Sequence, residues 1–199
     1  MWLEPIEKAV ASVSGTPAQL NYGQQGQVGV TVRSENPVSG TVEVLDGDRV
    51  VGTATVPENG TATVAIPATA LAPGSHELSV RYSGDEANLP AEGTVDVQVA
   101  KAVTSVAGDA AQVTFRHDSP IDLTVGSAVP VSGTVELLHG DRLLGTGIVA
   151  ENGTVTVTIP AKALKPGRYE LSVRYGGDEL NTPAEGTIDV QVGKAKVVR

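Results

Sequence analysis

The chain has 199 residues, with 23 Gly, 12 Pro, no Cys and a formal net charge of −9. Hydrophobic residues make up 40% of it and aromatic residues only 3%, so apolar burial must rest on Val, Ile, Leu and Ala. That hydrophobic content excludes a disordered acidic tail. The lack of Cys excludes disulfide staples and thiolate metal sites. The acidic balance speaks against nucleic acid and anionic membranes as main partners. No stretch approaches the ~18 apolar residues of a membrane span. The start Met1-Trp2-Leu3-Glu4-Pro5 lacks the basic and apolar regions of a signal peptide. It is read either as a cytoplasmic start or as a piece of a longer secreted chain.

An internal repeat decides the domain count. Lys8-Ala9-Val10 recurs as Lys101-Ala102-Val103, and Val38-Ser39-Gly40-Thr41-Val42-Glu43 as Val131-Ser132-Gly133-Thr134-Val135-Glu136. Glu58-Asn59-Gly60-Thr61 recurs as Glu151-Asn152-Gly153-Thr154, and Leu78-Ser79-Val80-Arg81-Tyr82 as Leu171-Ser172-Val173-Arg174-Tyr175. The offset is 93 at every match and needs no gap. Solenoid units run ~20–50 residues, so a period of this length marks independent small domains instead. The sequence therefore predicts a flank at 1–7, domains at 8–100 and 101–193, and a flank at 194–199.

In chain order, the window from Trp2 to Val10 is the nearest approach to a helix, and Pro5 weakens it. Everything after it alternates with period two, the signature of a half-buried strand. Val28, Val30 and Val32 are followed by Val42 and Val44, then Ala62, Val64 and Ile66. Leu78, Val80 and Tyr82 come next, and Val95, Val97 and Val99 close the repeat. The expected strands are 9–14, 18–22, 27–33, 40–46, 49–56, 61–66, 75–83 and 93–99, the first two sharing one split edge. Turn chemistry separates them. Asp46-Gly47-Asp48 and Glu58-Asn59-Gly60 supply Gly for positive φ, and Ala72-Pro73-Gly74 places Pro before Gly. About seven strands in such a length argue for an all-β sandwich in each repeat.

The strings Gly40 to Ala54, Asn59 to Val64 and Leu71 to Asp85, repeated at 133–147, 152–157 and 164–178, resemble the bacterial Ig-like repeat family, group 3 type. Tyr-x-Gly-Asp after an alternating strand is the most specific part. The resemblance implies two tandem Ig-like β-sandwiches without the disulfide or core Trp of antibody domains. It also implies spacers, stalks and accessory modules of secreted and surface proteins, common in actinobacteria. It defines no catalytic residues.

Candidate sites are few. Asp46, Asp48, Asp85 and Glu86 carry the oxygen ligands Ca²⁺ takes. Yet the two groups are expected at opposite sandwich ends, and His139 replaces the first Asp in the second repeat, so these residues read as turn formers. His76, His117 and His139 align with Tyr169, Gln24 and Asp46 and do not recur, which excludes a repeated His site for metal. There is no Gly-x-Ser-x-Gly, no His-Glu-x-x-His and no phosphate-cradling Gly motif. No enzyme activity, catalytic residue, cofactor or metal is expected. Lys8 and Lys101 begin matching strands, but no Asn in 93–99 or 186–192 offers a partner for an isopeptide bond. Asn59 and Asn152 form Asn-Gly-Thr sequons and read as turn residues. Arg81 and Arg174 stand mid-strand on the outward face. They are expected beside Glu43 and Asp96, and Glu136 and Asp189, as cross-strand pairs, or else as a polar binding face for a glycan or protein.

Only Ala100-Lys101-Ala102 separates Val99 from Val103, with no Gly/Ser or Pro spacer. A semi-rigid rod of the two domains is the expectation. Lys194-Ala195-Lys196 echoes the start of a repeat and points to a longer array. The functional expectation is a noncatalytic spacer or stalk of an extracellular or cell-surface bacterial protein, its partners being neighbouring domains of a longer chain. An adhesion module with a protein or glycan ligand and a phage tail or capsid decoration are the alternatives, in each case with no nucleic-acid partner and no membrane insertion.

Overall fold

The alternation of apolar and polar residues becomes sixteen strands in the computed structural model, which describes residues 7–194. The chain divides into two compact units between Ala100 and Lys101. In unit 1 the strands are β1 (Ser12–Gly15), β2 (Ala18–Asn21), β3 (Gly26–Arg33), β4 (Thr41–Asp46), β5 (Arg49–Thr55), β6 (Thr61–Ile66), β7 (Gly74–Tyr82) and β8 (Ala91–Ala100). They form a three-stranded sheet, β1-β3-β6, and a five-stranded sheet, β2-β8-β7-β4-β5. Unit 2 repeats this with β9 (Ser105–Gly108), β10 (Ala111–Thr114), β11 (Ser119–Gly126), β12 (Thr134–His139), β13 (Arg142–Ile148), β14 (Thr154–Ile159), β15 (Gly167–Tyr175) and β16 (Ala184–Gly193). Its sheets are β9-β11-β14 and β10-β16-β15-β12-β13. Each unit is thus an all-β sandwich, and no helix occurs among the described residues.

The inward faces are the predicted ones. Val28, Val30 and Val32 of β3, Val64 and Ile66 of β6, Val42 and Val44 of β4, Leu78 and Val80 of β7 and the three valines of β8 form one core. Their counterparts, including Ile121, Leu137, Leu171 and Ile188, form the other. Tyr82 and Tyr175 are the largest fully buried side chains. Alternation breaks once in each unit. Leu45 and Leu138 are buried directly after buried Val44 and Leu137, at a bulge in β4 and β12 that shifts the register there; neither leucine joins the core of its unit.

The split edge needs correcting. β1 and β2 do not share one sheet. β1 pairs antiparallel with β3, whereas β2 pairs parallel with β8 in the other sheet. Pro17 stands at the crossing, where its missing N–H ends one ladder before the next begins. Gly15 makes the crossing sterically feasible, since a Cβ there would strike the Val95 side chain. The last strand begins at Ala91, two residues earlier than expected, and the first strand at Ser12; Ala9 forms an isolated parallel bridge to Asn88. Of the window read as the nearest approach to a helix, residues 2–6 lie outside the described residues, as does the Lys194-Ala195-Lys196 echo beyond Lys194.

The β5–β6 and β13–β14 turns are Asx turns. The Asn59 side-chain carbonyl accepts from the Thr61 N–H at 3.0 Å, and that of Asn152 from Thr154 at 3.1 Å. Gly60 follows with φ +72, and a Cβ on it would run into the Val32 carbonyl, so only glycine closes this turn.

Candidate functional site

One loop in each unit gathers most of the side-chain hydrogen bonds. In unit 1 it joins β7 to β8 and reads Tyr82-Ser83-Gly84-Asp85-Glu86-Ala87-Asn88-Leu89-Pro90. The Asp85 carboxylate accepts from the Tyr82 hydroxyl at 2.8 Å, the Ser39 N–H at 2.8 Å, the Ala87 N–H at 2.8 Å and the Asn88 amide at 2.9 Å. Asn88 is fully buried, and its amide also donates to the Pro37 carbonyl at 2.8 Å. A single carboxylate thus ties the loop, the end of β7 and the chain before β4. In unit 2 Asp178 does the same with Tyr175 at 3.0 Å, Ser132 at 2.8 Å, Leu180 at 2.8 Å and Asn181 at 2.9 Å.

The loop also holds the chain that enters the sandwich. The Ala9 N–H donates to the Ala87 carbonyl, the Leu89 N–H to the Ala9 carbonyl, and the Lys8 ammonium to the Asp85 carbonyl at 2.7 Å. Ala102 bonds Leu180 and Thr182 in the same way, and the Lys101 ammonium donates to the Asp178 carbonyl at 2.5 Å. The two lysines considered for isopeptide chemistry are therefore hydrogen-bonded to backbone carbonyls.

This network shifts ionisation. The Asn88 amide above all, helped by the Ser39 and Ala87 N–H groups and the Tyr82 hydroxyl, holds the Asp85 carboxyl well below the usual carboxylate range. At Asp178 burial pushes upward, but Asn181, the Leu180 and Ser132 N–H groups and Tyr175 outweigh it and the carboxyl again titrates low. Burial first, then Asp85, pushes the Tyr82 hydroxyl up to about 12; Tyr175 follows for the same reasons. A carboxyl with a lowered folded value stabilises fully above its unfolded pKa of ~3.9 and loses that contribution as pH falls toward the folded value. A tyrosine with a raised value stabilises fully below ~10 and loses it as pH rises further. Thermal midpoints are expected to fall below pH ~4 and again above pH ~10. Asp85→Asn and Asp178→Asn together should flatten the acid limb; an unchanged acid limb would overturn this assignment.

The structure separates the remaining candidates. Asp46 and Asp48 lie at the β4–β5 turn, the opposite end of β4 from Thr41, whose carbonyl bonds Ser83 beside Asp85. The two acidic groups are not brought together, and no group of three or more His, Asp or Glu suited to a metal occurs among the described residues. His76 bonds the Ala72 carbonyl at 2.8 Å, and His139 meets Tyr169 edge to face at 5.1 Å.

Arg81 corrects the predicted neighbours. Glu43 is its register partner on β4, but the ion pair runs to Glu92 of β8 at 3.1 Å, while Asp96 stands opposite Glu77. Arg174 likewise faces Glu136 in register and pairs with Glu185 at 3.0 Å, with Asp189 opposite Glu170. The expected neighbour was displaced because β8 begins earlier and places Glu92, not Asp96, across from the arginine. Each guanidinium is about half exposed and its partner more so, so the pair contributes ~0.2–1 kcal/mol. Arg81 borders a shallow depression with Thr41, Glu43, Ser83, Pro90 and Glu92.

Sequence reading took Asp85 as a turn former and missed Asn88, Asn181 and the lysine anchors. The available signal was Gly-Asp-Glu-x-Asn-x-Pro, identical in both copies and containing an Asn that no strand pattern requires.

Two tandem sandwiches, each with a three- and a five-stranded sheet and a parallel pair between an early strand and the last, define a pair of immunoglobulin-like domains. The chain belongs to the bacterial Ig-like domain (group 3) family, which matches residues 13–100 and 102–193. Families of this fold are generally noncatalytic and typical of surface or structural proteins. No curated protein sequence matches the chain. Among solved structures, titin domains are similar at 11% identity and TM-score 0.59, over 94% of this chain and 67% of that one. Fibronectin(III)-like modules of Clostridium thermocellum CbhA match at 18% identity and TM-score 0.38, over 94% and 97%. A 1.5-MDa bacterial ice-binding adhesin matches at 16% and 0.41, over 95% and 66%.

Proposed function

We propose that the chain is a noncatalytic spacer segment of an extracellular or cell-surface bacterial protein, and that it holds neighbouring domains of a longer chain apart. The observation that carries this reading is the treatment of the entering chain. In both units it is hydrogen-bonded to the Asp85 or Asp178 loop of its own sandwich. Ala100 still accepts from Tyr22 in unit 1, and Ala102 already donates to Leu180 in unit 2, so Lys101 alone lies between them. A junction this short leaves few free backbone dihedrals, whereas a Gly/Ser linker behaves as a flexible coil. Family membership supports the extracellular setting.

The chain has no Cys, so introduced ones label cleanly. Spin labels on Thr63→Cys and Thr158→Cys, both exposed strand positions, should give a single narrow distance distribution. Insertion of Gly-Ser-Gly-Ser after Lys101 should broaden it. A distribution equally broad without the insertion would reject the spacer mechanism.

A further inference from the structure

The two units are near copies, so each serves as a control for the other, and one end of unit 2 departs from its control in charge. The β10–β11 turn, the β14–β15 loop, the β12–β13 turn and the end of β16 converge there. The Phe115 N–H bonds the Gly193 carbonyl, the Asp118 carboxylate accepts from the Ala161 N–H at 2.7 Å, and the Arg142 guanidinium donates to the Ala163 carbonyl at 3.1 Å. Arg116, Lys162, Lys165 and Arg168 stand exposed on this end. Their counterparts in unit 1 are Gly23, Thr69, Ala72 and Ser75, and His139 replaces Asp46. Four cations have been added and one carboxylate removed, in a chain of net charge −9. The one added carboxylate, Asp118 for Gln25, is engaged by the Ala161 N–H.

Two of the added cations sit where the backbone disfavours them. Arg116 has φ +70 and Lys162 φ +69, the only non-glycine residues with positive φ among those described. Unit 1 meets the first position with Gly23 at φ +81, which glycine adopts without strain. Non-glycine residues held at positive φ cluster at functional sites. The ion pairs among the described residues lie elsewhere, at Arg49–Asp46, Arg81–Glu92 and Arg174–Glu185. These cations are therefore directed to solvent, with Arg116 resting over the Phe115 ring at 5.4 Å.

The chain also carries a complement. At the end of unit 1 where its chain enters, Glu35, Glu58 and Glu86 are exposed. They are grouped there because the Asn36 amide bonds the Ala87 carbonyl and the Val32 N–H bonds the Gly60 carbonyl. Unit 2 has Ala128 in place of Glu35. A long polyanion fits the basic end poorly, since it would run on over the adjoining sheet face, where Glu170 and Asp189 stand opposite each other. A compact acidic surface avoids that face.

We propose that the basic end of unit 2, carried by Arg116, Lys162 and Lys165, docks the acidic entry end of unit 1 in a second copy of this chain, head to tail. Such a contact uses two different patches, so it propagates instead of closing, and its electrostatic origin makes it salt-sensitive.

Sedimentation velocity on the full chain tests it. The weight-average mass of the 20.3 kDa chain should rise with concentration from ~1 to ~200 μM in ~20 mM salt and return to the monomer value in ~500 mM salt. The variant Arg116→Gly, Lys162→Gly, Lys165→Ala puts glycine at the two positive-φ positions and unit 1's own alanine at the third, so it keeps the fold, and it should stay monomeric. Glu35→Lys, Glu58→Lys, Glu86→Lys should do the same. An equimolar mixture of the two variants should restore one-to-one pairs and no longer species, because each retains one intact end. A wild-type chain that stays monomeric throughout overturns the proposal. So does association that survives the basic-end substitutions. So would binding of inorganic polyphosphate, lost in the basic-end variant, by a chain that never self-associates; that result would assign the patch to a polyanion.

Discussion

Replacing Leu171 by Ala is expected to destabilise unit 2 by about 3–4 kcal/mol. Leu171 is fully buried on β15, the central strand of the five-stranded sheet, with β16 on one side and β12 on the other. It faces the core formed by Ile121, Val157 and Tyr175. Truncation removes its transfer free energy and leaves a cavity that rigid strands collapse into only partly. The scarcity of aromatics raises the effect, because few large neighbours could swing in; Tyr175 is fixed through its hydroxyl to Asp178 and the Ser132 carbonyl. For a unit of this size the loss corresponds to a fall of about 15–25 °C in its melting transition. Calorimetry should show that transition move while the one belonging to unit 1 stays, since Leu171 belongs to the core of unit 2. A shift under ~5 °C would mean that the core repacks and that the close-packed description is wrong.

Asn181→Ala should cost about 2–3 kcal/mol, and Asn88→Ala about 1 kcal/mol less. Both amides are fully buried and donate to a carboxylate and to a proline carbonyl, Pro130 at 2.9 Å and Pro37 at 2.8 Å. Removing either leaves the proline carbonyl without its donor and strips the aspartate of its principal hydrogen-bond partner. The two sites differ at the other amide atom. The Asn181 side-chain oxygen accepts from the Ser127 hydroxyl at 2.5 Å, whereas that of Asn88 is buried without a partner. Unit 1 already lacks the bond that the unit 2 variant would lose. Chemical denaturation of the two variants side by side would check the ranking, and equal costs would show that the Ser127 bond contributes nothing net. Because its loop holds Ala102 at the junction, Asn181→Ala should also broaden the interdomain distance distribution, whereas Asn88→Ala, whose loop holds Ala9, should leave it unchanged.

Much of the fold was legible because period-two placement is a local property. Val28, Val30 and Val32 alternate whatever they pack against, and a repeat with a gapless offset announces its own boundaries. The exceptions have particular causes. The burial of Leu45 was not legible, because a bulge is a property of two paired strands, not of one. β1 and β2 read as one edge, since nothing in Thr16-Pro17 says which sheet each half joins. The candidate site was less legible. Arg81 and Arg174 were rightly placed on an outward face, yet their partners followed from where β8 and β16 begin.

By itself the sequence determined two all-β units, their strand faces, and the glycines and asparagines of their turns, because each of these follows from residues within a few positions of one another. Tertiary structure alone decided which carboxylate meets each arginine, that Asn88 and Asn181 are buried under Asp85 and Asp178, and that Lys8 reaches the Asp85 carbonyl across 77 positions of chain. It also decided that Arg116, Lys162 and Lys165 share one end of unit 2. These contacts depend on loop closure and strand register, which bring together residues whose spacing in the chain carries no periodic signal.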